Sequence, residues 1–402
     1  MKFNRSGLFY ILVIIFWLGQ FIYVPFLSPF MKSIGISASI IGIVAGMYGV
    51  SQLVVRIPLS VGGWKTGNHK LIIGMGIVAL LISCAVPMFT DSWIAFFIAR
   101  TLAGVASSSW ISFSAYAIEG AGEKASSNMG FLMAANTGGV CLSQIVGSIV
   151  YGFTNIKTLF VIGFVLGVIS LFLLFLTPMR NSVKENNKNT NGEMQTRKLE
   201  KGIFKRMFSN KNLLVCSALM TLFQLLSFGL NFSFSGVFAQ EKLNSTPFQL
   251  GLIVLIPYLT SAVMSFIFGR IAKKGLPERV LLVISFVLLA FYCVAGLFFT
   301  TMVPFLLIQI IFGVCSSTIH VIVFANAGRE FKADEQILCM GIFQTIYSLG
   351  ITLGPVIFGF VFDHLGESYP ITFSVFAALS LIGAIISLTI YKNSYQSKMV
   401  NN

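Results

Sequence analysis

Arg100 is the residue that most needs a chemical reason. It is the one full charge well inside the apolar stretch 92–118, and a charge at the centre of a bilayer costs about 3 kcal/mol on insertion scales unless it is solvated or paired. Gly104, Ser107 and Ser108 follow at +4, +7 and +8, so on a helix they share its face. Such a face either binds an anionic group or tunes a proton site, or it fixes a neighbouring helix through backbone carbonyls. His320 lies eleven residues after Gln309, three helical turns, and points the same way. It titrates near neutrality and could carry a proton, or it stays neutral and hydrogen-bonded. The amides of Gln20, Gln224, Asn231, Gln309 and Gln344 either touch a solute or tie helices together. All thirteen acidic residues fall in loops or at helix ends, with Glu119 and Asp363 nearest the apolar runs. A proton relay therefore has His320, Arg100 and Glu119 as its candidates, and movement without coupling stays open. No HExxH, GxSxG or GxxxxGK[ST] occurs, and the three histidines are scattered, which argues against a hydrolase or a nucleotide-driven pump. The six cysteines show no CxxC spacing and read as small buried residues. No metal or cofactor is expected.

The elements that hold these groups follow from composition. The chain has 402 residues, 56% hydrophobic and 10% charged, against roughly 25% charged in soluble proteins. Hydrocarbon is therefore the solvent for most of it. A span needs about 20 apolar residues, and twelve stretches qualify: 7–30, 38–61, 70–90, 92–118, 128–152, 156–178, 212–240, 246–270, 278–299, 302–327, 336–362 and 368–391. The first is too long for a signal-peptide core and lacks a small-residue cleavage site, so it is read as a retained span. Short connections make neighbours antiparallel. With the N-terminus cytoplasmic, 23 of the 27 lysines and arginines fall on the inner side, Arg56 among them, and three on the outer side, with Arg100 in the membrane. The net charge of +14 is thus a topology signal, with no nucleic-acid partner implied. The polar, basic stretch 179–211 divides six spans from six. It reads as a cytoplasmic linker, with an amphipathic helix from Arg197 to Phe208, between bundles at 1–178 and 212–402.

The two halves resemble each other. Arg100-Thr-Leu-Ala-Gly104-Val-Ala-Ser-Ser aligns with Gln309-Ile-Ile-Phe-Gly313-Val-Cys-Ser-Ser at an offset of 209. Met129-Gly130 with Gly139 and Ser143 aligns with Met340-Gly341 with Gly350 and Gly354 at 211. Internal repeats of helices mark transporters. Gly104, Gly139, Gly147, Gly313, Gly350 and Gly354 are expected at close helix contacts that rock or bend, with Pro355 a kink.

On these motifs the chain resembles the major facilitator superfamily over its whole length. The family's loop after span 2, G-x-x-x-D-R-x-G-R-R, corresponds to Ser60 through Lys70, with Gly67 at the second glycine and Trp64 in place of the aspartate. The R-x-x-x-G of span 4 is Arg100 and Gly104. The antiporter-type glycine motif survives partly in span 5 and better in span 11, as Gly350, Gly354, Pro355 and Gly359. The nearest branch is the twelve-helix drug and metabolite efflux group. The resemblance implies an all-α membrane fold of two six-helix pseudo-repeats, with spans 1, 4, 7 and 10 around a central cavity. Polar residues agree: spans 3, 6, 9 and 12 carry none beyond their ends. The resulting expectation is a monomeric carrier in the cytoplasmic membrane with a small-molecule substrate. Export of an apolar or amphipathic compound leads. The alternative is uptake or exchange of an organic anion held by Arg100, and a proton as coupling ion stays open.

Overall fold

A computed structural model describes residues 5–118, 124–177, 202–271, 277–331 and 335–391. Among these, twelve helices are long and apolar enough to cross a membrane: α1 Gly7–Ser33, α2 Ala38–Gly63, α3 His69–Met88, α4 Trp93–Ile118, α5 Ser127–Phe153, α6 Ile156–Leu176, α7 Lys211–Leu243, α8 Pro247–Phe268, α9 Glu278–Phe298, α10 Met302–Ala327, α11 Leu338–His364 and α12 Tyr369–Thr389. The turns are cut by local chemistry. The side chains of Ser37, Asn68, Ser92, Asn155, Asn210 and Ser368 each accept a hydrogen bond from the first turn of the helix that follows, as N-caps do. Gly67 ends the helix of α2 at φ 59°, its N–H bonded to the Gly63 carbonyl, a left-handed cap that favours glycine. The basic stretch 179–211 lies largely outside the described residues. Its described part includes a short helix, Ile203–Phe208, which buries Ile203 and Met207 and pairs Arg206 with Glu335.

The repeat is visible in the packing. A Cβ on Gly104 of α4 would strike the Tyr48 carbonyl of α2, and one on Gly313 of α10 would strike Pro257 and Thr260 of α8. Gly139 and Gly147 of α5 let the backbone of α1 approach at Ile14 and Ile22, while Gly350 and Gly354 of α11 do the same for α7 at Thr221 and Leu225. Each half thus makes the same two contacts with equivalent helices. Outward-facing apolar side chains such as Val161, Val165 and Phe172 on α6, and Val280, Val287 and Phe291 on α9, stay exposed, giving the lipid-facing surface that the polarity of these spans predicts.

Two seams join the halves. Along α2 and α11, Gly42, Gly46 and Gly49 meet Pro355, Thr352 and Ser348, and α11 runs through Pro355 as one helix. Along α5 and α8, Gly251 meets Gln144 and Ser148, the same contact again at the offsets of 209 and 211. The two ends differ. On the far face, which carries the α1–α2 turn, Gly236 of α7 packs on Pro25 and Pro29 of α1. There too the Asp363 carboxylate accepts from the backbone N–H groups of Ala38 and Ser39, at 3.2 and 2.7 Å. On the near face, where α1 begins, the main packing of Arg5–Phe21 is on its own half, and so is that of Lys211–Leu226 of α7. The contact between α1 and α7 thus joins the halves toward the far face, whereas the α2–α11 seam runs on to the near face, where a Cβ on Gly341 would strike Ser60.

Candidate functional site

Three of the four helices expected around the centre are interrupted near mid-span. Helix α1 breaks at Ile22–Tyr23 ahead of Pro25, α4 breaks at Ser109, and α7 is π-helical over Ser227–Phe234. Helix α10 is continuous. Interrupted membrane helices free backbone groups and turn side chains inward, and they recur at binding sites.

Arg100 sits between these breaks at 4% exposure. Its guanidinium lies 4.5 Å from the centre of the Tyr48 ring, and the Tyr23 and Tyr48 hydroxyls are within its field. Among the described residues it has no carboxylate partner, and the Tyr23 hydroxyl lies within its hydrogen-bonding reach. A desolvated cation–π contact is worth about 2 kcal/mol, which offsets much of the insertion cost but leaves the charge uncompensated. Tyr48 continues the site: its hydroxyl is 2.6 Å from Ser107 Oγ, and its ring stacks at 5.6 Å on Phe228 of the other half. Gln20 donates to the Ala103 carbonyl and Ser107 Oγ, at 2.6 and 3.2 Å, so α1 and α4 are tied here, while its own carbonyl oxygen has no partner.

A second buried arginine stands on the near side of Tyr48. Arg56, counted with the inner helix ends in the sequence, is 5% exposed and crosses the seam between the halves. It donates to the Gln344 carbonyl at 2.7 Å and to Ser348 Oγ at 2.9 Å, and its guanidinium lies 5.1 Å from the Tyr347 ring centre. Its Nε, both amide atoms of the fully buried Gln52 one turn away, and Gln344 Oε1 have no partner. The apolar setting and the Gln52–Arg56 spacing on one face were the available signals. Charge counting hides them, because it treats any arginine near a helix end as solvated.

The C-terminal half uses its amides differently. Gln309 Oε1 accepts from the Tyr292 hydroxyl at 3.1 Å and from Asn231 Nδ2 at 3.2 Å, and Asn231 also donates to the Ile253 carbonyl. This network joins α7, α8, α9 and α10 and satisfies itself. Gln224 is 8% exposed and makes no side-chain hydrogen bond among the described residues. His320 Nδ1 lies 2.9 Å from the Ser316 carbonyl. A carbonyl accepts, so the proton is on Nδ1 and Nε2 is left as an acceptor. The ring is flanked by Phe223 and Phe324. The structure thus gathers Gln20 and Arg100 at one locus, Arg56 and Gln344 at the next, and sets Asn231 and Gln309 in a separate polar core. Glu119 lies outside the described residues.

The arrangement offers aromatic faces, unpaired amides and two cations between two pseudo-symmetric bundles. Comparison with known proteins gives the same picture. The model of the Major Facilitator Superfamily matches residues 9–239 and 218–401. Multidrug resistance protein 2 of Bacillus subtilis is 24% identical over 381 residues, 92% of each chain. Quinolone resistance protein NorA of Staphylococcus aureus is 21% identical over 387 residues, 94% of each. An uncharacterized MFS-type transporter of Methanocaldococcus jannaschii is 22% identical, covering 93% of this chain and 97% of its own. Among solved structures, a mutant of the nucleoside transporter NupG superposes at a TM-score of 0.76 and 15% identity, over 97% of this chain and all of that one. A bacterial homologue of the human lysosomal transporter Spinster, inward-facing and unoccupied, superposes at 0.69 and 12% identity over 97% of this chain and 96% of that one. The chain belongs to the Major Facilitator Superfamily and is a membrane transporter with twelve spans.

Proposed function

We propose that this transporter exports a small organic compound with a planar aromatic part, by alternating access and as a monomer in the cytoplasmic membrane. Bundles 1–178 and 212–402 rock about the shared site, joined by the linker 179–211. The observation that carries the reading is the aromatic shelf laid across the two halves at mid-depth. Phe21 meets Phe232 at 6.0 Å, Tyr48 stacks on Phe228, Phe228 on Phe232 at 4.8 Å, and Tyr258 closes the row edge-on at 6.0 Å. Flat apolar solutes stack on such faces, each contact adding about 0.5–1.5 kcal/mol beyond the area buried. The lysine and arginine distribution makes the near face cytoplasmic, and the near ends of α1 and α7 pack mainly on their own halves, on the side from which an exported compound enters. That two relatives are named as resistance proteins supports the direction. The test is flux in reconstituted vesicles for a panel of drugs and metabolites, with pH and sodium gradients imposed and then collapsed. Movement above protein-free vesicles is expected for planar aromatic compounds; if none moves, the reading fails.

A further inference from the structure

Arg56 and Arg100 lie on either side of Tyr48, whose hydroxyl is in the field of both guanidinium groups. Both are at least 95% buried, and neither has a carboxylate among the described residues. The acidic side chains that do touch the helical bundle are spent at its ends. Asp363 caps α2, Glu241 holds the Tyr369 hydroxyl at 2.6 Å, and Glu278 the Tyr391 hydroxyl at 3.0 Å. Buried polar atoms on the helices of the two arginines and their neighbours have no partner: Arg56 Nε, both ends of the Gln52 amide, Gln344 Oε1 and Gln20 Oε1. Arg56 Nε and Gln52 Nε2 are unused donors, the amide oxygens unused acceptors, and a negative group with a polar rim would balance the two guanidinium charges and take up the donors. A cationic compound would meet like charge in a poorly screened interior.

We infer that the substrate is an organic anion, an aromatic acid whose ring lies on the Tyr48–Phe228 shelf and whose carboxylate or sulfonate is held by Arg100, with Arg56 receiving it toward the near face. This rests on the transport reading and narrows its substrate class. Arg100, held by the Tyr48 ring face and the Tyr23 hydroxyl, keeps enough of its five N–H donors for a bidentate contact with a planar acid group. Arg56 already spends one nitrogen on α11, so engaging an anion there competes with the bond that joins the halves. Anion binding and movement of the α2–α11 seam are therefore linked at this residue.

The test uses the full-length protein in nanodiscs with four matched probes: benzoate, phthalate, benzyl alcohol and benzylamine. Thermal unfolding is followed by tryptophan fluorescence, and the same probes are followed in vesicle flux. Benzoate and phthalate should raise the unfolding midpoint and benzylamine should not. Arg100→Gln should weaken benzoate at least tenfold and by much more than it weakens benzyl alcohol, and Arg56→Gln should weaken phthalate more than benzoate. The ranking of the four probes on the native chain does not depend on any variant folding. Equal protection by benzylamine, no protection by either acid, or benzoate binding by Arg100→Gln within twofold of native would overturn the anion assignment. Flux of benzyl alcohol or benzylamine persisting in that case would leave the transport reading standing, whereas absence of flux for every compound would remove that reading instead.

Discussion

Gly104 shows how tightly single residues are held around the site. Its missing side chain is what lets the Tyr48 carbonyl and Ser51 hydroxyl of α2 lie against α4, and that contact places Tyr48 beside Arg100. Gly104→Val should therefore cost about 1–3 kcal/mol through overpacking and disturb the site itself. Gly62→Ala, on the same α2 but with open space around it, should be neutral or slightly stabilising, because alanine favours helix by up to about 1 kcal/mol over glycine. Thermal unfolding of the two variants checks both; equal destabilisation would mean that glycine on α2 and α4 matters for helix flexibility and not for close approach. Gln309 makes the opposite point about reading side chains. Its place on a cavity helix suggests solute contact, but its oxygen already accepts from Tyr292 and Asn231. An amide's role is decided by partners on other helices, which the sequence of its own helix does not reveal.

At the scale of elements, the twelve spans, their order and the glycine contacts at offsets of 209 and 211 were legible, because hydrocarbon demands long apolar helices and the duplication preserved its close contacts. The interruptions at Ile22–Tyr23, Ser109 and Ser227–Phe234 were not. Within a uniformly apolar run, hydropathy reports the solvent and says nothing of hydrogen-bond register. The breaks depend on tertiary neighbours, as where Phe376 and the Gly354 carbonyl crowd Gly229 inside the π-helical segment. The far-face seam was equally hidden, since it needs Asp363 at the end of α11 to meet the first N–H groups of α2. There the carboxylate faces the positive end of a helix dipole, an interaction worth about 0.3–1 kcal/mol when partly exposed. The family's own aspartate, in the loop after α2 on the near face, is replaced by Trp64. The one carboxylate latch described at this seam therefore holds the far face shut. Asp363→Asn keeps an acceptor but loses the charge, and should raise the far-open population up to about fivefold. Spin-label distances between the α1–α2 and α11–α12 turns measure this; an unchanged distribution would show that the glycine contacts alone close that face.

For the whole molecule, the decisive feature is the sign of the charge at mid-depth. With Arg56 and Arg100 in the bundle and the described carboxylates at its ends, the proposed aromatic acid would cross carrying its charge, with no described carboxylate at mid-depth to accompany it. His320 has one nitrogen committed to the Ser316 carbonyl and two phenylalanine rings about it, with no acidic partner among the described residues to pass a proton on. Export would then draw on the membrane potential directly. Moving one elementary charge through 100 mV is worth about 2.3 kcal/mol, so a cytoplasm-negative potential of that size expels a monovalent anion to a ratio of about fiftyfold. The expected outcome is benzoate flux in vesicles that follows an imposed potassium diffusion potential, reverses when the potential is reversed, and changes less than twofold when a pH gradient is imposed or collapsed at constant potential. His320→Gln should leave that voltage dependence intact. Flux indifferent to voltage but driven by the pH gradient, and lost in His320→Gln, would instead make the histidine the coupling group and require a proton to move with each substrate.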